Sequence, residues 1–147
     1  MKNLLVAIDD IDTTTIAAPL IEHALELARA LGGRVWLVHV VPHTSSNGVY
    51  NVDSTVLRRE GAAELGAEHE FLQTLARCMR ERGVETKALL IEGATVRTIL
   101  KESERLAIDL IIMGCHRHRV PYGVLTEFTE EGVLGHCICP IMYVPTA

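Results

Sequence analysis

Five short apolar runs, each closed by a break in pattern, constrain most strongly what this chain can fold into. They are residues 4–8, 35–41, 85–91, 110–113 and 141–144. Apolar runs of this length, bounded by turn signals, suit strands covered on both faces. Helix-period segments lie between them. Ala17, Leu20, Ile21, Ala24, Leu27, Ala28 and Leu31 share one helical face ahead of Gly32 and Gly33. Pro19 is expected in the first turn of that helix, where a missing N–H costs least. Leu65, Leu72, Leu75, Ala76 and Met79 repeat at helical spacing across residues 59–82, and Gly83 ends the pattern. Thr95 is placed to cap a third helix carrying Val96, Ile99, Leu100 and Leu106. A weaker helical pattern covers residues 124–134. This alternation predicts an α/β fold: a five-stranded parallel sheet with right-handed crossovers and helices on both faces. Pattern alone leaves the strand order open.

A chain of 147 residues reads as one domain, residues 1–147, long enough to bury a real core. Only 4% of its residues are aromatic, so that core must be aliphatic. A formal net charge of -5 argues against a general nucleic-acid or anionic-membrane binder. No apolar run approaches the roughly 18 residues of a membrane span. The opening run is too short for a signal peptide and meets Asp9 and Asp10 at once, so a cytoplasmic location is expected. Cys78, Cys115, Cys137 and Cys139 show no secreted disulfide pattern and read as free thiols. The polar connection at 43–57 is long enough for a functional loop.

The run Asp109-Leu110-Ile111-Ile112-Met113 stops at Gly114, followed by Cys115-His116-Arg117-His118-Arg119. Glycine permits a sharp turn or the close approach of a ligand. In open parallel sheets, ligands bind beyond the carboxyl ends of strands. Residues 114–119 are therefore expected at a ligand site.

Five segments in order resemble the universal stress protein family. They are Lys2-Asn3-Leu4-Leu5-Val6-Ala7-Ile8-Asp9, residues 24–33, Leu37-Val38-His39-Val40-Val41-Pro42, residues 109–114, and Cys139-Pro140-Ile141-Met142-Tyr143-Val144-Pro145. The resemblance implies strand order 3-2-1-4-5. It also implies a homodimer in which the fifth strands, residues 141–144 (Ile141, Met142, Tyr143, Val144), pair antiparallel and bury an open edge. It implies a stress-response protein rather than an enzyme, with ATP or AMP as the candidate ligand. Asp9 and Val40 match positions that hold ribose and adenine in ATP-binding members.

Those members carry Gly-x2-Gly-x9-Gly-Ser/Thr after the fourth strand. The glycines let backbone N–H groups face the phosphates, and the hydroxyl adds a donor. Gly114 matches the first glycine, but Arg117, Glu127 and Phe128 fall on the later positions. A carboxylate about 4 Å from a phosphate charge costs roughly 4 kcal/mol at an effective dielectric of about 20. Phe128 removes a donor and adds bulk. Arg117 and Arg119 act the other way, because guanidinium groups bind phosphate well. The reading is a degenerate ATP loop in a protein acting mainly through partners. The alternatives are a nucleotide-dependent switch using Asp9, Val40, Gly114, Arg117 and Arg119, and a metal or redox module.

The last alternative rests on Cys115-His116-Arg117-His118 and His136-Cys137-Ile138-Cys139. Sulfur and imidazole suit zinc or copper. The first group follows the fourth strand and the second precedes the fifth. In a parallel sheet these are opposite ends, about 15 Å apart, which argues against a joint site. Cys115 and His116 also lack the third, orienting group of a nucleophile–base pair, and a redox-sensitive Cys115 is the simpler reading. His39 reads as a satisfied core histidine and Trp36 as packing. Glu127, Glu130 and Glu131 read as a solvated helix face.

Overall fold

β1 (Asn3–Ala7) is the middle strand of a five-stranded sheet in a computed structural model that describes residues 2–8, 14–41, 62–116 and 135–146. Leu4, Leu5 and Val6 are fully buried, as a strand covered on both faces requires. β1 is flanked by β2 (Arg34–Val41) and β4 (Leu110–His116). β3 (Thr86–Glu92) lies outside β2, and β5 (Ile141–Thr146) outside β4. All four pairings are parallel, and the order is β3-β2-β1-β4-β5. This is the 3-2-1-4-5 order implied by the resemblance.

Successive side chains on a strand point to opposite faces. Leu4, Val6, Val35, Leu37, Ile112 and Val144 pack against α1 (Thr14–Leu31) and α2 (Ala62–Glu81), which contribute Leu20, Ala24, Leu72, Ala76 and Met79. Leu5, Ala7, Val38, Val40, Ile111 and Met113 pack against α3 (Thr95–Arg105) through Ile99. Helices thus cover both faces.

Three local expectations need correction. α1 already begins at Thr14, so Pro19 lies in its second turn rather than its first. A proline there removes an intrahelical bond, and burial of Leu20, Ile21 and Ala24 against the sheet carries the helix through it. The buried stripe of α1 keeps Leu20, Ile21, Ala24 and Ala28 as expected but differs at two positions. Leu25 is fully enclosed, while Leu31 is 39% exposed, because the chain is already turning away at Gly32. In α3 the N-cap position is Ala94, which offers no side-chain bond, and Thr95 is the first helical residue. The weak helical pattern at 124–134 and the connection at 43–57 lie outside the described residues.

Hydrogen bonds on both sides of β1 align the strand starts. Asp109 Oδ2 accepts the N–H groups of Lys2 at 2.8 Å and Asn3 at 3.0 Å. Asp109 N donates in return to the Asn3 carbonyl at 2.8 Å. The two bonds from Asn3 and Lys2 hold the Asp109 carboxyl below the usual carboxylate range. On the other side of β1, Gly33 forms the turn from α1 to β2, and Arg34 N donates to the Lys2 carbonyl at 2.7 Å.

Candidate functional site

From β1 the chain steps outward through β2 to β3, then returns to place β4 and β5 on the opposite side. The connections reverse direction between β1 and β4. At such a switch point the loops beyond the strand ends diverge to opposite faces and leave a crevice that binds ligands. Ala7 stands in register with Met113 on β4 and with Val38 on β2. Ile8 extends the line, donating its N–H to the Val38 carbonyl at 2.8 Å. Asp9 follows it directly in sequence.

Of the five residues expected to line a pocket, Val40 and Gly114 are described. Asp9, Arg117 and Arg119 lie outside the described residues, as do Glu127 and Phe128. Val40 is 7% exposed, on the α3 face with Ala7 and Met113. Gly114 does not terminate its strand. It lies within β4 opposite Val144, and pairing continues through Cys115 with Pro145 and His116 with Thr146. The apolar run ends at Met113, but the ladder continues because β5 supplies backbone partners two residues beyond Gly114. Gly114 is therefore not where the chain turns out of the sheet.

His39 is the satisfied core histidine expected of it, and it does more than fill space. It is buried on the α2 face, with Nδ1 2.6 Å from the Ile8 carbonyl. A carbonyl can only accept, so Nδ1 carries the hydrogen. His39 thereby ties β2 to the backbone immediately before Asp9. Its Nε2 faces Glu68 Oε2 of α2 at 3.7 Å. That carboxylate oxygen is buried without a hydrogen-bond partner. An ion pair forms there when Nε2 also carries a proton. Glu68 was missed in the sequence because helical periodicity marks it only as one polar residue among several.

The two Cys/His groups sit at opposite ends of the sheet. Ile111 pairs with Ile141, and Cys115 with Pro145. Four residues of strand, roughly 13 Å, therefore separate Cys115 from the start of β5. Among the described residues no three His, Cys, Asp or Glu side chains converge on a metal position. None of the helices in the described residues is long and apolar enough to cross a membrane. Trp36 is half-buried on the α3 face, with Lys87 Nζ 5.2 Å from the centre of its ring, a cation–π contact on top of packing.

Comparison with known proteins converges on one family. The profile of the universal stress protein family matches residues 1–145. Universal stress protein A homolog 2 of Coxiella burnetii is 29% identical over 133 residues, covering 86% of this chain and 84% of that protein. A crystal structure of a universal stress family protein from Burkholderia pseudomallei superposes with a TM-score of 0.71 at 25% identity, covering 99% of this chain and 96% of the other. The universal stress protein from Archaeoglobus fulgidus in complex with dAMP superposes at 0.68 with 17% identity, over 97% of each chain.

Proposed function

The chain belongs to the universal stress protein family, and on that footing we propose that it is a cytoplasmic, homodimeric stress-response protein of one domain, residues 1–147. It acts mainly by binding partner proteins and not by catalysis. Asp9, Val40, Gly114, Arg117 and Arg119 form a weak nucleotide or anion pocket at the β1–β4 switch point. The observation that carries this reading is the pair Glu127 and Phe128, standing where ATP-binding members have glycine and a hydroxyl residue. A carboxylate repels the phosphates and a phenyl ring cannot donate to them. The dimer reading is supported by the position of β5 at the sheet edge, with Ile141, Met142 and Tyr143 only half-buried. An edge strand of this kind, as it stands among the described residues, favours pairing with a second copy.

The test is calorimetric titration of ATP with magnesium into nucleotide-free protein. Absence of heat, and of any thermal shift at millimolar ATP, is the expected result. Replacing Glu127→Gly and Phe128→Ser together is then expected to bring binding into range. Light scattering after gel filtration reads the dimer, and a monomer at micromolar concentration would overturn that part.

A second reading is a switch driven by ATP or AMP. The dAMP complex of the Archaeoglobus fulgidus relative favours it, since Arg117 and Arg119 could supply charge where the glycines are missing. Micromolar ATP affinity in the unaltered protein, unchanged by the double replacement, would establish the switch and displace the first reading.

A further inference from the structure

Cys137 and Cys139 occupy the turn before β5, separated by one residue. That residue, Ile138, is 78% exposed. The two cysteines turn the other way and pack, half-buried, against the α3-face core beside Ile141 and Tyr143. Their Sγ atoms lie 3.4 Å apart, and both are free thiols. Cys137 Sγ also donates to the Cys139 carbonyl at 3.2 Å, which holds the turn in this shape.

We propose that Cys137 and Cys139 are a reversible dithiol–disulfide couple, oxidised by hydroperoxides and reduced by small thiols. The geometry is what argues for it. Bonding requires the sulfurs to close from 3.4 Å to about 2.0 Å, and both already face one another across a single turn. A metal site is the competing use of two thiols. Two sulfurs complete only half of a tetrahedral shell, and among the described residues no third ligand joins them. The couple does not rest on the proposed nucleotide pocket, which is assigned to the opposite, carboxyl end of the strands.

The two sulfurs are not equivalent. Burial, the adjacent Cys137 thiol and the Asp109 charge push the Cys139 thiol up to about 12, so Cys139 keeps its proton at neutral pH. In the proposed step Cys137 reacts first. Its thiolate attacks one oxygen of hydrogen peroxide and the O–O bond breaks. The departing hydroxide takes up the proton that Cys137 had released, giving water and a Cys137 sulfenic acid. Cys139 sulfur then attacks the sulfenic sulfur. The S–S bond forms, the S–O bond breaks, and the hydroxyl leaves with the Cys139 proton as a second water. Two thiols lose two electrons and one peroxide gains them. Two equivalents of a thiol such as glutathione reverse the step by exchange.

Oxidation removes the hydrogen that Cys137 donates to the Cys139 carbonyl. The change occurs next to Pro140, whose carbonyl accepts Ile111 N at 3.0 Å at the start of the β4–β5 ladder. The couple is thus placed to alter the edge strand rather than the core of the sheet.

The experiment uses the reduced full chain, exposed to hydrogen peroxide, quenched with iodoacetamide in urea so that any remaining thiol is unfolded and alkylated, and digested with trypsin. Arg119 is the last lysine or arginine, so the peptide 120–147 carries both thiols and no other cysteine. The expected product is that peptide, lighter by two hydrogens and free of alkyl groups. It should form equally in a Cys78→Ser, Cys115→Ser background and disappear on reduction with glutathione. Cys139→Ser should stop at a sulfenic acid on Cys137 that dimedone traps, whereas Cys137→Ser should lose the product entirely and leave Cys139 alkylated. Circular dichroism verifies that each variant is folded, and Cys139→Ala replaces Cys139→Ser if the latter is not. A doubly alkylated 120–147 peptide after peroxide would overturn the proposal. So would a bond from Cys137 to Cys78, to Cys115 or to a second chain in place of the internal one.

Discussion

Replacing Gly33 by alanine tests whether the α1–β2 turn is set by close approach rather than by chain flexibility. A Cβ at Gly33 would stand 2.7 Å from Leu4 Cδ1 and 2.9 Å from the Lys2 carbonyl oxygen. Neither neighbour can yield cheaply. Leu4 is fully buried in the core. The Lys2 carbonyl accepts Arg34 N at 2.7 Å, the link that aligns β1 with β2. Forcing a methyl into a packed site of this kind costs about 1–3 kcal/mol. In a chain of this size each kcal/mol lowers the melting temperature by about 2–4 °C, so a fall of about 2–12 °C is expected. Gly32→Ala is the control. It has φ +64 but nothing within 4 Å of its added Cβ, so its cost is the left-handed backbone alone, about 1 kcal/mol. Urea titration followed by circular dichroism reads both differences, provided the m value stays unchanged. A Gly33→Ala protein within about 0.5 kcal/mol of the parent, or one less affected than Gly32→Ala, would refute the steric argument.

Other perturbations follow from single contacts. Asp109 has a carboxyl held below its usual range by two backbone N–H donors. Its stabilisation is therefore present above the unfolded carboxylate value of about 3.9 and is lost as pH falls through the lower folded value. Thermal melts of the parent and Asp109→Asn should differ at neutral pH and converge in acid; a constant gap would contradict the charge-assisted bonds. Ala107 adopts φ 51 between α3 and β4, a conformation that suits glycine, so Ala107→Gly should gain about 0.5–1 kcal/mol in urea titration. His39→Phe keeps the bulk but removes the donor to the Ile8 carbonyl, and a loss of about 1–3 kcal/mol is expected. An unchanged denaturation midpoint would show that the bond contributes little.

The candidate site was legible in the sequence only as a location. Val40 could be named only through the family resemblance. Gly114 could be named because it falls at the end of an apolar run, and such ends face ligands in open parallel sheets. Glu68 could not, since one glutamate on a polar helix face looks like any other until α2 packs over His39. The closeness of the Cys137 and Cys139 sulfurs was hidden for a related reason. Spacing of two residues is compatible with thiols pointing together or apart, and the turn that exposes Ile138 decides between them.

By itself, the sequence determined the strand–helix alternation and the two faces of each strand. Those are local properties, written in the period of apolar residues along a few turns or pleats. It also determined that the core is aliphatic, because few aromatic residues are present to build any other. Only the tertiary structure decided that β4 runs on past Gly114 to His116, because β5 offers partners that far. It likewise decided that Leu25 is enclosed and Leu31 is not, and that His39 bonds the carbonyl before Asp9. Each of these depends on where segments distant in the chain come to rest against one another. Periodicity records which side of an element is apolar, but not which neighbour will cover it or how far that neighbour extends.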